Sequence, residues 1–131
     1  MRVLLDTSAY SAFKRGHARV VELLRQATFI GLNAVVLGEL LSGFMSGGRE
    51  AWNREELHAF LQSPRVQVLS LSRETAERFA VIHQALRQAG TPIPTHDMWI
   101  AASAMEHGLR VVTADAHFHR IPMLLLDYIE P

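Results

Sequence analysis

Apolar residues run along this chain in short unbroken blocks, separated by longer stretches of helical spacing. Val3, Leu4 and Leu5 form the first block, and residues 2–5 predict a buried strand. A short helix over 7–14 follows it. Val20, Val21, Leu23 and Leu24 make a helical stripe over 17–26, and residues 28–32 form a second strand. Asn33 is placed to cap a helix that runs to Ser46, where Ser-Gly-Gly breaks it. Leu57, Phe60 and Leu61 at i, i+3 and i+4 predict a helix over 49–61, stopped by Ser63-Pro64. Residues 66–71 predict a third strand. Ser72 caps a helix to Ala89, ended by Gly90, and Thr95 caps another, ended by Gly108. Two more strands are expected at 109–112 and 123–126.

The order is β-α-α-β-α-α-β-α-α-β-β. The strands are Val/Leu blocks with little polar alternation, as in a parallel sheet buried on both faces. Right-handed crossovers then put helices on both sides, giving an α/β protein with a three-layer α/β/α sandwich. At 131 residues the chain is expected to form one domain, 1–131. Chains of this size bury roughly two-thirds of their unfolded surface.

Composition removes several classes of function. There is no cysteine, which excludes disulfides and thiolate metal sites. No apolar run approaches the roughly 20 residues of a membrane span, and no signal-peptide pattern opens the chain. The expected compartment is the cytoplasm, with no membrane partner. Net charge is +0, without the basic excess that usually accompanies nucleic-acid binding. Local fields matter more than totals, however. Every basic residue but Lys14 is Arg, a side chain suited to bidentate phosphate contacts, although GC-rich codon usage gives the same bias.

The chain has four Asp, at 6, 97, 115 and 127. Asp6 ends the first strand and Asp115 lies just past the fourth. Asp97 falls in the first turn of a helix. In open parallel sheets, ligands bind beyond the carboxyl ends of the strands. Asp6 and Asp115 share that edge, and their carboxylates converge if their strands are neighbours. Each acid also has a purely architectural explanation. Asp6 can cap the helix at Thr7, Asp97 suits the positive end of a helix, and Asp115 suits a turn. Together, three acids at one edge repel one another unless a cation neutralises them. Oxygen ligands select hard cations, Mg²⁺ or Mn²⁺. Asp127 is expected at the surface. Glu39 falls opposite the arc of Val36, Leu37, Leu40, Leu41 and Phe44, so periodicity alone turns it to solvent.

Four segments carry a resemblance. Leu-Leu-Asp-Thr-Ser at 4–8, Val-Leu-Gly-Glu-Leu-Leu-Ser-Gly at 36–43, Thr-His-Asp-Met-Trp-Ile-Ala-Ala-Ser-Ala at 95–104 and Val-Val-Thr-Ala-Asp-Ala-His-Phe at 111–118 resemble the motifs of PIN-domain proteins. The length and the Ile-Pro-Met ending resemble VapC-type toxins within that superfamily. The resemblance implies a parallel sheet of order 3-2-1-4-5, which makes the first and fourth strands neighbours. It implies acidic site residues at Asp6, Glu39, Asp97 and Asp115, with hydroxyl partners at Thr7 or Ser8 and at Thr113. It further implies a Mg²⁺- or Mn²⁺-dependent endoribonuclease that cuts RNA, often tRNA or ribosomal RNA. Such a toxin is held by a cognate VapB-type antitoxin and is usually a homodimer. Asp6, Asp97 and Asp115 are the expected metal ligands. Thr7, Ser8 and Thr113 are expected to support carboxylates, with Thr7 and Ser8 both placed beside Asp6. The family often carries a further acid where this chain has His117.

The histidines divide. His83 is expected at the edge of the core, beside Phe79 and Leu86. His117 and His119 have metal-like spacing, but satisfied loop histidines are the expected reading. His96, next to Asp97, is a candidate contact for substrate phosphate. Phe44, Trp52, Leu57 and Phe60 exceed what a small core needs, so some of them are expected on a partner surface. A receiver-type phosphoacceptor would need a Lys at a late strand end, and Lys14 is misplaced for that. An aspartyl-phosphate phosphatase needs Asp-x-Asp, and position 8 is Ser. The remaining alternatives are a DNA-directed nuclease and a catalytically silent PIN module that only binds RNA or a protein.

Overall fold

A computed structural model describes residues 1–131. Five parallel strands are ordered β3-β2-β1-β4-β5. They are β1 (Arg2–Leu5), β2 (Phe29–Asn33), β3 (Val66–Leu69), β4 (Arg110–Thr113) and β5 (Leu126–Tyr128). Helices α1 (Thr7–Lys14) and α2 (Ala18–Gln26) join β1 to β2, and α3 (Ala34–Ser46) and α4 (Glu50–Leu61) join β2 to β3. Helices α5 (Arg73–Ala89) and α6 (Thr95–His107) lead from β3 to β4, and a 3₁₀ turn at Ala116–Arg120 precedes β5. The sheet flanked by helices is the expected α/β/α sandwich. No helix is long and apolar enough to cross a membrane.

β1 is the centre of the sheet because its sequence is apolar on both faces. Val3, Leu4 and Leu5 are fully buried, each contributing roughly 1.5–3 kcal/mol of burial. Leu4 aligns with Gly31 on one side and with Val111 on the other. Gly31 gives its neighbours room there: a Cβ would lie 3.2 Å from the Leu69 and Phe29 side chains, which would have to shift by a few tenths of an ångström. β1 and β4 are adjacent, so the residues that follow them meet at one edge.

Helix caps account for several boundaries. Asn33 accepts a hydrogen bond from the Val36 amide at 3.0 Å and starts α3, as its sequence position predicts. Ser72 starts α5 through a capping box with Thr75, and Glu106 of α6 accepts bonds from both hydroxyls. Gly90 and Gly108 end α5 and α6 at φ 70° and 66°, a region glycine enters freely. Thr95 is not the cap of α6. Pro94 holds that position and Thr95 is the first helical residue, because proline's fixed φ already enters the turn.

Two further expectations change. The last strand begins three residues later than the apolar run suggests, at Leu126. Met123 sits at φ 64° and is 91% exposed, so the chain is still turning there. The third strand ends at Leu69, since Leu71 is exposed and leads into the Ser72 cap.

Candidate active site

The edge formed by the ends of β1 and β4 collects the acids. Asp6 is 4% exposed and both of its carboxylate oxygens are held. Oδ1 accepts from Ser8 Oγ at 2.7 Å and from the Ala9 amide at 2.8 Å, and Oδ2 accepts from Thr113 Oγ1. Asp6 therefore caps α1 and faces the edge at once, so its two sequence readings are compatible. A carboxylate has about four acceptor positions, and three are used here, leaving one on Oδ2. Burial is the main reason its pKa is raised; the three donors oppose that shift, and Asp115 adds to it.

The hydroxyls link the strand ends. Ser8 Oγ, besides donating to Asp6, accepts the Ala114 amide at 2.9 Å. Thr113 Oγ1 accepts the Asp115 amide at 2.9 Å while donating to Asp6. Thr7 does not support Asp6. As the first residue of α1 it points across to α3, where its Oγ1 donates to Glu39 Oε1 at 2.7 Å. Adjacent residues on a helix diverge by about 100°, and here Thr7 and Ser8 accordingly serve different carboxylates.

Asp97 comes from the first turn of α6 and is 3% exposed. Its two oxygens face different histidines. Oδ1 lies 3.3 Å from His96 Nε2, and Oδ2 lies 3.5 Å from His117 Nδ1. Oδ2 is buried and accepts no hydrogen bond. Burial pushes the Asp97 pKa up to about 6; His96 and His117 pull it down, and Asp115 and Asp6 push it further up. Asp115 caps the 3₁₀ turn through the His117 amide, at 2.9 Å, so its turn role and its place at the edge coexist. Ligand atoms of Asp97, Asp115 and His117 lie within 4.8 Å of one another, close enough to share one cation.

Glu39 stands beside this cluster, its side chain 32% exposed. The helical wheel gave it the correct side of α3, but that side faces Thr7 and His96 rather than open solvent. His96 Nε2 lies 3.4 Å from Glu39 Oε2, so the imidazole bridges Glu39 and Asp97. The structure thus brings together Asp6, Glu39, Asp97 and Asp115 with Thr7, Ser8 and Thr113 and with His96, the candidate next to Asp97, and adds His117.

Other residues stand apart. Asp127, expected as a surface acid, is in β5 with its side chain 14% exposed. It accepts from Arg110 Nε at 2.8 Å and from Nη2 at 3.3 Å, a paired fork on adjacent strands that the sequence spacing concealed. His83 is exposed and stacks on Phe79, itself packed against the core, with ring centroids 5.9 Å apart, a place at the core's edge. His119 packs against Tyr128, 4.9 Å between centroids, so the His-Phe-His spacing delivers only one of its imidazoles to the acids. The signal for His117 was local: a tight turn after Asp115 returns residue i+2 to the same side.

The donor set fits a divalent cation. Asp97 carries a buried carboxylate oxygen without a donor, and its neighbours are further carboxylates and an unpartnered imidazole nitrogen. Buried polar atoms without partners are rare unless something else fills the position.

The sequence matches the family model for the PIN domain over residues 3–124. It is 33% identical over 93 residues to Ribonuclease VapC4 of Mycobacterium tuberculosis, covering 70% of this chain and 71% of that one. It is 29% identical over 132 residues to Ribonuclease VapC2 of Rickettsia felis, covering 97% of each. Among solved structures it resembles VapBC2 from Rickettsia felis, bound to a DNA fragment from their promoter, with a TM-score of 0.86 and 26% identity. That match covers 99% of this chain and 100% of the other.

Proposed function

Because this chain belongs to the PIN-domain family, we propose that it is the endoribonuclease toxin of a VapBC-type pair, one PIN domain over 1–131 that hydrolyses RNA phosphodiesters with a divalent cation. One observation carries the reading: Asp97 and Asp115 meet at one edge of the sheet within reach of the Asp6 charge, and Asp97 presents a buried oxygen with no donor. Relatives named as ribonucleases over nearly the whole chain support it. The non-catalytic module is not favoured, since binding alone gives no reason to keep charge-repelling carboxylates at this edge.

In this reading Asp97 Oδ2 and Asp115 Oδ1 would hold Mg²⁺ or Mn²⁺, while Asp6 stands outside that close group and faces it with its remaining acceptor position. When bound there, such an ion activates water and neutralises charge developing on the phosphate. Ser8 and Thr113 fix the Asp6 rotamer, so the carboxylate does not reorganise when a cation arrives. Thr7 holds Glu39 Oε1 and leaves Oε2 toward the cleft, where it can accept the proton of the attacking water. His96, 48% exposed, is placed to donate to a phosphate oxygen.

The partner is a VapB-type antitoxin, and the working form is a cytoplasmic homodimer. Support for a docked partner comes from a cavity of about 480 Å³ between α1, α3 and α4. Trp52 is 55% exposed there, with the Arg49 guanidinium over its ring.

Cleavage of RNA and DNA oligonucleotides with Mn²⁺ tests the function. The wild-type chain should cut RNA and spare DNA, and Asp6→Asn, which retains a capping side chain, should lose cleavage while keeping its circular dichroism. Undiminished cleavage by Asp6→Asn would remove Asp6 from the site, and equal cleavage of DNA would remove the ribonuclease assignment.

A further inference from the structure

We propose that His117 Nδ1 is a direct ligand in a mixed nitrogen and oxygen cation site with Asp97 Oδ2 and Asp115 Oδ1, and that this nitrogen biases the site toward Mn²⁺ over Mg²⁺. The inference rests on the reading that this edge binds a divalent cation, and it assigns the nitrogen ligand and the selectivity.

Geometry carries it. His117 Nδ1 lies 3.1 Å from Asp115 Oδ1 and 3.5 Å from Asp97 Oδ2. It is buried, yet it makes no hydrogen bond with either oxygen. A ring N–H is fixed in the imidazole plane, and neither carboxylate oxygen lies in line with it. Nδ1 therefore does not aim a proton at either acid. With the ligand atoms of Asp97, Asp115 and His117 within 4.8 Å of one another, one cation placed among them is within reach of all three.

The second observation is independent of His117. The Asp97 side chain is 5% exposed, and its Oδ2 points into the same space without a donor. Asp97 Oδ1, by contrast, turns to His96 on the other side. Two buried unpartnered atoms, one nitrogen and one oxygen, thus lie 3.5 Å apart on different elements.

The backbone holds His117 in place. Its amide donates to Asp115 Oδ1, and the next residue, Phe118, is fully buried in the core. The 3₁₀ turn anchored by Phe118 presents the imidazole toward α6. His119 is turned away onto Tyr128, and His96 lies against Asp97 Oδ1 rather than Oδ2, which leaves His117 as the nitrogen beside Oδ2.

Chemistry supplies the selectivity. Mg²⁺ favours oxygen donors and keeps several waters. Imidazole nitrogen favours first-row transition ions, and affinities of such sites rise from Mn²⁺ onward. Two carboxylate oxygens and one nitrogen would be the protein's donors, with water and a phosphate oxygen left to complete the set.

The test uses the full chain with Mn²⁺ and Mg²⁺ alone, without RNA. Pulsed electron paramagnetic resonance on the Mn²⁺-loaded protein should show a directly bonded nitrogen, lost in His117→Asn. Calorimetry should find Mn²⁺ affinity lowered roughly tenfold or more in His117→Asn, with Mg²⁺ affinity changed much less. His117→Asp, which restores an oxygen donor, should narrow the Mn²⁺ to Mg²⁺ ratio without losing Mg²⁺. Circular dichroism of each variant separates ligand loss from misfolding. Mn²⁺ binding with no nitrogen signal and an unchanged ratio in both variants overturns the His117 assignment and leaves the cation reading intact. No binding of either ion to the wild-type chain overturns both.

Discussion

Asp97 is where burial, charge and chemistry meet on one side chain. Its pKa is pushed up to about 6 chiefly by burial, with Asp115 and Asp6 adding to the shift. An acid whose pKa is higher folded than unfolded binds its proton more tightly in the native state. Its contribution favours folding at low pH and is lost as pH rises through the folded value. The ion-free protein should therefore lose stability from about pH 4 to about pH 6–7 through this group. Asp97→Asn should raise the ion-free melting temperature at about pH 7.5 and leave it nearly unchanged near pH 4, as scanning calorimetry with a chelator would read. An equal effect at both pH values would mean that the carboxylate is not strained. The same variant should lose most RNA cleavage, giving a side chain that costs stability and supplies function. Ser8 shows the opposite balance. Ser8→Ala removes the donor to Asp6 Oδ1 and leaves the Ala114 amide unpaired, at about 1–3 kcal/mol. Mn²⁺ affinity should also fall, by about 10–100-fold, because the Asp6 rotamer is no longer fixed. Chemical denaturation and calorimetry on one sample measure both.

At the scale of elements, the site is assembled by helix starts. α1, α3 and α6 each begin at the end of the sheet where the acids lie, and each brings its part in an early turn or on an inward side. Asn33 joins two of them. Its Oδ1 caps α3, and its Nδ2 donates to Ser103 Oγ at 2.9 Å and to the Trp99 carbonyl at 3.2 Å in α6. It thereby sets the position of Glu39 relative to Asp97. Asn33→Ala should cost about 2–4 kcal/mol, the sum of a lost cap and lost buried bonds, read as a shift in urea midpoint at constant slope. These helix starts also show what the sequence could convey. The Asn33 and Ser72 caps are local: a short side chain bonds an amide three residues on, and any reader of the chain can see the spacing. The adjacency of β1 and β4 is not local. The acids at strand ends implied it conditionally, and the PIN-like motifs supplied the order. Glu39 was obscured for the same reason. Periodicity gives a side of α3, but only tertiary packing shows that α1 and α6 stand opposite it. The fifth strand was misplaced because hydropathy cannot see the left-handed turn at Met123. Asp127 was misread because Arg110 lies far along the chain and beside it in the sheet.

For the whole molecule, zero net charge conceals an uneven distribution. Folding gathers Asp6, Glu39, Asp97 and Asp115 at one edge of the sheet, and no Lys or Arg bonds any of them in the fold. The histidines beside them are the local counter-groups. In the unfolded chain the acids are far apart and bind a cation weakly. A divalent ion should therefore select the folded state and stabilise it by about 2.7 kcal/mol at a hundredfold excess over its dissociation constant. For a domain of this size that corresponds to a rise in melting temperature on the order of 10 °C. Thermal melts in Mn²⁺ should show the rise, and a chelator should reverse it. NaCl at matched ionic strength should not reproduce it, because screening acts on exposed charges and these are largely buried. In Asp97→Asn the baseline should be higher and the Mn²⁺ response largely gone. A full response in that variant would mean that the ion sits elsewhere on the surface. The expected pair of changes, higher stability without the ion and less gain with it, follows from one cause. Carboxylates gathered at this edge are costly to the fold, and a cation held there would offset that cost.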